Sequence, residues 1–256
     1  MTDQKTKAQQ FAALHRKGDP LILFNAWDPG SAAVIAKAGA KAIATGSYSV
    51  ALAMGFADGE KTPLALVLDN CRRIAGAADL PMTLDFEGGY ATDPEALKAN
   101  IAEVIAAGAI GLNFEDQVIG GQGLHEVAAQ AARVAAIRAA ADKAGAGFFI
   151  NARCDVFLTT DRATHGPALL AQCLERGKAY ADAGADGLFA PGLADPDLIA
   201  ELTEKSPLPV NLLVMPGVPD TATLKSLGVA RISYGGGAHR VAMQALEQAA
   251  KAVFGG

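Results

Sequence analysis

The amino-acid sequence predicts an α/β fold, a (β/α)8 TIM barrel with eight parallel strands, formed as a single domain by residues 1–256. Eight short apolar runs alternate with eight alanine-rich segments that have helical periodicity. Three of the helical segments end on Ala-Gly-Ala directly before the next run, which is the helix-to-strand connection of a parallel sheet. Eight such units in about 250 residues are typical of this barrel.

The eight predicted strands are rich in β-branched and apolar residues, and Gly, Pro or Asp turns follow them. In chain order they are 21–27 (LILFNAW), 41–47 (KAIATGS), 81–87 (PMTLDFE), 109–116 (AIGLNFED), 148–155 (FFINARCD), 187–192 (GLFAPG), 209–215 (PVNLLVM) and 229–235 (VARISYG). The first strand leads into NAWDPGSA, where Asp28 caps the next helix. Because this stretch lacks a G-x-G-x-x-G loop, the barrel is favoured over an open doubly wound sheet.

Composition and charge exclude several kinds of partner. The formal net charge is −5 and the basic residues are scattered, so we expect no nucleic-acid partner and no membrane partner. No apolar run approaches the length of about 18 residues that a membrane span requires. The polar start MTDQKTKAQQ lacks the apolar core of a secretion signal, so we expect a cytoplasmic protein. The three cysteines have no metal-ligand spacing and are expected to be reduced.

Acidic residues concentrate where a barrel carries its functional groups, at the carboxyl ends of strands. Asp85 and Glu87 end the third predicted strand, and Glu115 ends the fourth. If these carboxylates converge inside the barrel, a divalent cation would relieve their repulsion. Oxygen ligands without a neighbouring His or Cys indicate Mg2+, with Mn2+ as second choice. The alternative is structural: Asp85 caps a turn, and Glu87 or Glu115 pairs with Arg153.

Arg153, on the fifth predicted strand, is expected to face the same cavity. A guanidinium there suits a planar carboxylate, so the expected partner is a small carboxylate molecule. No lysine stands at the carboxyl end of a predicted strand, which argues against a Schiff-base aldolase. Glycines 235–237 beside Arg240 form either a phosphate site or, as favoured, a close-packed turn. Surface or capping roles are expected for the histidines, which are His15, His125, His165 and His239.

Four stretches, GSYSVALAMGFADGE, LPMTLDFEGGYA, GLNFEDQ and NARCDVF, resemble the isocitrate lyase and phosphoenolpyruvate mutase superfamily. Their order and spacing match it over nearly the whole chain. The resemblance implies a (β/α)8 barrel and a Mg2+ site that orients an α-keto or α-hydroxy acid. Carried over by position, it makes Asp85 the nearest metal ligand, while Glu87 and Glu115 act mainly through coordinated waters.

The resemblance also assigns groups to the substrate. The substrate-binding candidates are Gly46, Ser47, Tyr48, Arg153 and Asn211, together with Trp27, which is included because it stands at the end of the first predicted strand. Backbone amides of the first three would hold the substrate carboxylate, and Arg153 would grip its oxygens. Asn211 matches an asparagine on strand seven of the lyase branch. Asp58 matches an acid near the reacting centre and joins Arg153 as a catalytic candidate.

Departures from the superfamily pattern leave the reaction open. The lyases carry a Lys-Lys-Cys-Gly-His loop after strand four and the mutases a lysine and an asparagine, but QVIGGQGLHEV here has none of these lysines, cysteines or asparagines. Pro191 stands where strand six should bring a histidine or a glutamate. We therefore expect general enolate chemistry, with loop 117–126 as a gate that excludes water.

The expected activity is a Mg2+-dependent lyase that cleaves a C–C bond in a small 2-oxo or 2-hydroxy acid. The alternatives are a C–P mutase or hydrolase and a non-catalytic ligand-binding barrel. The resemblance further implies a homo-oligomer, dimer or tetramer, in which relatives often exchange the C-terminal helix.

Overall fold

The computed structural model describes residues 3–255 and contains a parallel eight-stranded sheet. The strands are β1 (Leu21–Leu23), β2 (Ile43–Ala44), β3 (Met82–Asp85), β4 (Gly111–Glu115), β5 (Phe149–Arg153), β6 (Gly187–Phe189), β7 (Val210–Leu213) and β8 (Arg231–Ser233). Each pairs in parallel with its neighbours, and β1 pairs with β8. A parallel bridge between Ala26 and Thr45 joins the ends of β1 and β2. The sheet is thus a nearly closed barrel, and the fold prediction is confirmed.

The helices alternate with the strands. They are α1 (Gln4–Ala13), α2 (Pro29–Lys37), α3 (Ser47–Ala53), α4 (Leu64–Ala77), α5 (Pro94–Ala106), α6 (Val127–Ala144), α7 (Pro167–Asp182), α8 (Pro196–Lys205), α9 (Thr221–Ser226) and α10 (Gly237–Phe254), with a 3-10 helix at Arg162–Thr164. Eight of these helices correspond to the eight predicted helical segments. Within residues 3–255, α1, α3 and the 3-10 helix are additional to them. Helix α3 begins at Ser47, the last residue of the predicted strand 41–47. Val50 and Ala51 are buried on this helix, which favours the helical conformation there.

All eight strands are shorter than predicted, because residues at their predicted ends, mostly the last ones, lie outside the strands. Aspartates and glycines mark the helix boundaries as the sequence indicates. Asp28, Asp93 and Asp195 accept hydrogen bonds from first-turn amides, and a proline follows each of them. The glycines of the three Ala-Gly-Ala phrases have φ angles of 100°, 99° and 99°, a left-handed conformation that side chains disfavour. These glycines end one helix and turn the chain into the next strand.

Two apolar layers stabilise the barrel. The larger lies between strands and helices and includes Leu84, Phe114 and Ile150, all buried. The smaller lies inside the barrel at its amino end, where Phe11 of α1 packs on Phe149 with ring centroids 5.3 Å apart. The interior also contains buried polar side chains, which are Asn113, Asn151, Asn211 and Arg231.

Helix α10 is largely uncovered. Of its residues only Ala238 is buried, whereas the apolar side chains of Val241, Leu246 and Val253 are more than half exposed. Ile22 and Phe24 of the first strand run are also exposed, beside a groove of about 460 Å³. No helix within the described part of the chain is both long and apolar enough to cross a membrane.

Candidate active site

A cavity of about 280 Å³ opens at the carboxyl ends of the strands. Its wall brings together six predicted residues, which are Gly46, Ser47, Tyr48, Asp58, Asp85 and Arg153. The rest of the wall consists of Asn25, Asn113, Phe189, Pro191, Leu213, Ser233, Gly235, Gly236 and Arg240. Acids, guanidinium groups and apolar side chains therefore face one space, at the end of the barrel where such folds carry their active sites.

Asp85 is the last residue of β3 and is held on both carboxylate oxygens. Its Oδ2 accepts a hydrogen bond from the Ser47 backbone N–H at 2.9 Å, and its Oδ1 accepts one from Asn113 Nδ2 at 3.3 Å. Its own backbone N–H donates to Thr45 Oγ1 at 2.8 Å. The carboxylate is thereby fixed in orientation while remaining in the cavity wall.

Glu87 lies beyond the end of β3, with a φ of 50°, so strand alternation does not carry it into the main cavity wall. Its Oε1 accepts the backbone N–H groups of Gly59 and Glu60 at 2.9 and 2.8 Å, and its Oε2 accepts the Tyr90 hydroxyl at 3.1 Å. These bonds hold the loop that carries Asp58 in place. Glu87 shares only a small recess with Asp85.

Glu115 and Asp155 hold Arg153 between them. Glu115 pairs with Nη1 at 2.6 Å, while the two oxygens of Asp155 accept from Nε and Nη2 at 2.6 and 2.8 Å. Burial would lower the pKa of Arg153, but the charges of Asp155 and Glu115 outweigh it and raise that pKa. The ion pair between Glu115 and Arg153, given above as the structural alternative to a metal site, is therefore present. Arg153 nevertheless lies in the cavity wall.

The backbone amides expected to hold a substrate carboxylate are partly engaged already. The Gly46 N–H donates to the carbonyl of Ala26 at 3.3 Å, and the Ser47 N–H donates to Asp85. In the structure, one amide thus supports the turn into α3 and the other orients Asp85, and their predicted contact with a substrate carboxylate stays a prediction. Gly46, Ser47 and Tyr48 nevertheless line the cavity.

Trp27 and Asn211 lie outside the cavity wall, and their predicted substrate contacts stay predictions. β1 ends at Leu23, and the Trp27 ring packs edge-on against His239 of α10 with centroids 5.0 Å apart. Asn211 is buried, and its Oδ1 accepts the Ser233 hydroxyl at 3.2 Å. Both side chains therefore support the wall without forming it.

The donor set fits a Mg2+ ion held through few direct protein ligands. Among residues 3–255, no three His, Cys, Asp or Glu side chains are grouped closely enough to hold a metal by themselves. Asp85 faces the cavity, whereas Glu87 and Glu115 stand behind its wall. Mg2+ usually keeps several waters and takes one or two carboxylates, which this arrangement can supply. The ligand set Asp85, Glu87 and Glu115 stays a prediction, with the two glutamates acting through water.

Negative charge at the site is incompletely balanced. Burial, with the nearby charges of Asp85 and Asp58, raises the pKa of Glu87 to about 7 despite its hydrogen bond from Glu60. Burial and then the charge of Asp85 likewise raise the pKa of Asp58. A divalent cation near Asp85 would offset this repulsion.

A family model described as phosphoenolpyruvate phosphomutase matches residues 11–254. The chain belongs to this family. It is an enzyme of the isocitrate lyase and phosphoenolpyruvate mutase superfamily, as its four sequence stretches indicated.

Three relatives show the range of this superfamily. A candidate phosphonomutase from Burkholderia cenocepacia J2315 is 50% identical, covers 99% of this chain and 100% of its own, and superposes with a TM-score of 0.95. The 2-methylisocitrate lyase of Salmonella typhimurium is 29% identical over 94% of this chain and 82% of its own. A phosphonopyruvate hydrolase, solved with oxalate and Mg2+, shares the fold at 23% identity and a TM-score of 0.84, over 98% of this chain and 88% of its own. Lyases and mutases therefore both stand among the relatives.

The loop after β4 is the stretch in which the sequence departs from the superfamily pattern. Residues 117–126 form a short hairpin in which Gln117 pairs with Leu124, and Ile119 lies against Gly88. None of the cavity-wall residues comes from this hairpin. The predicted gate thus lies outside the wall, and its closing movement stays a prediction.

Two residues that position the site were not assigned from the sequence. Asn25 donates to the carbonyl of Thr45 at 2.7 Å and accepts the N–H groups of Tyr234 and Gly235 at 3.0 and 2.8 Å, which joins the ends of the first, second and eighth strands. The position of Asn25 near the carboxyl end of the first predicted strand was the one sequence feature that pointed to this role.

Arg133 of α6 donates to the carbonyl oxygens of Gly88 and Ala91 and so holds the turn after β3. A helical arginine gives no sequence sign of such a role.

Proposed function

We propose that this enzyme is a Mg2+-dependent lyase that cleaves a C–C bond in a small 2-oxo or 2-hydroxy carboxylic acid through a pyruvate-enolate-like intermediate. The observation that carries the proposal is that Asp85 and Arg153 face one cavity, each held rigidly by its neighbours. The 2-methylisocitrate lyase relative and the oxalate and Mg2+ bound by the phosphonopyruvate hydrolase support it.

Arg153 would bind the substrate carboxylate. A guanidinium has five N–H groups, and three different nitrogens of Arg153 are already directed at Glu115 and Asp155. The two remaining N–H groups, one on each Nη, can donate to a planar carboxylate in the cavity. Because Asp155 fixes the guanidinium plane, the substrate would be oriented without further loss of side-chain freedom.

Asp85 would hold Mg2+ or Mn2+, with Glu87 and Glu115 hydrogen-bonded to its waters. When bound, this cation supplies positive charge that stabilises the negative charge developing on the substrate oxygen. The hydrogen bonds from Ser47 and Asn113 keep Asp85 oriented before any ligand arrives.

Asp58 would carry the proton. It lines the cavity, and burial followed by the charge of Asp85 raises its pKa, which favours a protonated carboxyl. No cysteine, lysine or histidine belongs to the wall formed by the described residues. Asp58 is therefore the group placed to give a proton to the carbon of the departing enolate or to take one from it.

A thermal-shift experiment with oxalate, a planar dicarboxylate, tests the proposal. Oxalate should raise the melting temperature of the wild type only when Mg2+ is present. Asp85→Asn should abolish the shift, and Arg153→Lys should reduce it. Asp69→Asn is the control, because Asp69 pairs with Arg73 on the surface of α4 and lies outside the cavity. No shift with any oxo-acid and Mg2+ would contradict the proposal. Where a shift is seen, a screen for Mg2+-dependent pyruvate release should identify the substrate.

A C–P phosphonomutase or hydrolase is the second candidate. Gly235, Gly236 and Arg240 stand in the cavity wall, and the Arg240 guanidinium has no hydrogen bond or ion pair with any described residue. This free cation suits a second anionic group such as a phosphonate. Conversion of phosphonopyruvate to phosphate or phosphoenolpyruvate, lost in Arg240→Ala, would favour this candidate. Absence of any Mg2+-dependent turnover would instead favour a non-catalytic ligand-binding barrel.

We also propose that the enzyme is a homo-oligomer, dimer or tetramer, in which α10 packs on a second copy. Met243, Leu246 and Val253 recur at helical spacing on α10, and the groove beside Ile22 and Phe24 offers an apolar surface for such a stripe. Light scattering after size exclusion should give a multiple of the 26.1 kDa chain mass. Leu246→Glu should reduce it, whereas Gln248→Glu, also on exposed α10, should leave it unchanged. A monomeric wild type would contradict this proposal.

A further inference from the structure

Arg231, the first residue of β8, places a guanidinium inside the barrel, where burial opposes its charge and the charge of Asp85 favours it. The side chain is fully buried and forms no ion pair with any carboxylate in the described chain. Its Nη2 donates to Asn113 Oδ1 at 3.0 Å and its Nε to Ser233 Oγ at 3.4 Å, while Nη1 has no partner. On its other side lies the ring of Phe11, with the guanidinium carbon 5.8 Å from its centroid.

Stability does not account for this residue. A buried charge without an ionic partner is costly, and replacing buried charges by apolar side chains of similar volume is often neutral or stabilising. Arg231 also leaves one donor group unsatisfied, which adds to the cost. A methionine would fill much of the same space beside Phe11 without a charge or an unpaired N–H. The benefit of Arg231 therefore lies elsewhere.

Arg231 fixes the direction of a hydrogen-bond chain that ends on Asp85. Asn113 Oδ1 accepts from Arg231 Nη2 and from Asn151 Nδ2 at 2.9 Å, so Asn113 Nδ2 is left to donate to Asp85 Oδ1. The amides of Asn113 and Asn151 can each be turned over, which exchanges donor and acceptor. A guanidinium can only donate. In this series of hydrogen bonds, Arg231 is thus the group that cannot exchange its donor role for an acceptor role.

We propose that Arg231 is a positioning residue for the metal site. By donating to Asn113 it holds the Asn113 amide with its N–H toward Asp85, which keeps the Asp85 carboxylate oriented for a divalent cation. Without Arg231, the two asparagine amides can reverse together and turn an oxygen toward Asp85, which repels it. This inference rests on the proposed Mg2+ site, and its test separates the two.

The test compares Mg2+ affinity with stability in Arg231→Met, Arg231→Lys and Leu202→Ala. Loss of an outer-sphere partner typically costs metal sites about 10- to 100-fold in affinity, so calorimetry should give a Kd for Mg2+ raised by that factor in Arg231→Met. Its melting temperature should be unchanged or higher. Lysine, which can also only donate, should recover most of the affinity. Leu202 is buried in α8 away from the chain of hydrogen bonds, so Leu202→Ala should lower the melting temperature and leave the Kd unchanged.

A second readout works without metal. The side-chain NH2 signals of Asn113, followed by ¹⁵N NMR, should exchange slowly with water in the wild type and faster in Arg231→Met. If the wild type binds no Mg2+, the proposed function fails and these signals alone decide whether Arg231 holds Asn113. Arg231→Met with a wild-type Mg2+ Kd, with unchanged Asn113 signals, or without a stable fold would overturn the inference.

Discussion

His15 couples the stability of the barrel to pH. Its ring stacks on Phe149 with centroids 4.1 Å apart, and its Nδ1 lies 2.8 Å from the carbonyl oxygen of Phe11. Nε2 is buried without a partner, so protonation would add both a charge and an unpaired N–H. Burial, and then the charge of Arg231, lowers the pKa of His15 from 6.5 to about 3. Because Phe11 lies in the last turn of α1, the contact of Nδ1 with its carbonyl oxygen gives His15 the expected capping role at the end of that helix.

The sign and size of the effect follow from the two pKa values. The unfolded chain binds the proton at higher pH than the folded protein does, so acid favours unfolding. The contribution to the free energy of unfolding is complete above about pH 6.5 and falls as the pH drops toward about 3. The loss is about 2 kcal/mol at pH 5 and reaches about 5 kcal/mol below pH 3.

Guanidinium chloride unfolding at pH 8 and pH 5 measures this loss. In His15→Gln the side-chain amide can still donate to the Phe11 carbonyl, but it does not titrate. Between the two pH values the wild type should lose about 2 kcal/mol more than the variant, because the other titrating groups are common to both. Equal losses in the two proteins, or a His15 ring signal that titrates near pH 6.5 in the folded state, would refute the reasoning.

Three further outcomes are expected. Asp155→Asn removes the charge that fixes the Arg153 guanidinium, so the affinity for oxalate in the presence of Mg2+ should fall about 10-fold, as isothermal calorimetry can measure. Asn25→Ala removes one buried donor and one acceptor of two N–H groups, so unfolding should require about 3 kcal/mol less free energy in denaturant titrations. Mg2+ at about 100 times its Kd should stabilise the wild type by about 2.7 kcal/mol, and EDTA should reverse the gain in a thermal scan.

The sequence predicted the barrel because its signals are local and repeated. Ala-Gly-Ala places a left-handed glycine at the end of a helix, and apolar runs of fixed order follow it. Helix α1 and helix α3 were missed for a different reason. Helix α1 contributes Phe11 to the interior from a largely polar segment, and α3 begins within a run that also fits a strand. Whether that run adopts a helical or an extended conformation depends on tertiary packing.

At the site, strand position was a better guide than residue type. Asp85 and Arg153 stand at strand ends and do reach the cavity, as expected of a parallel barrel. Trp27 lies outside the cavity wall because β1 ends earlier than the predicted strand, and the alternation of side chains stops where the strand stops. The engaged amides of Gly46 and Ser47 depend on contacts with residues far along the chain. No local pattern contains that information.

Arg231 links the two ends of the barrel interior and so connects the proposed metal site with acid stability. Its charge helps to lower the pKa of His15 at the amino end, while its Nη2 holds Asn113 beneath Asp85. Arg231→Met should therefore raise the pKa of His15 and shrink the stability lost between pH 8 and pH 5. The loss should persist in part, because burial is the larger cause of the lowered pKa. Denaturant titrations of Arg231→Met at both pH values measure this, and a loss as large as that of the wild type would show that the two groups do not interact.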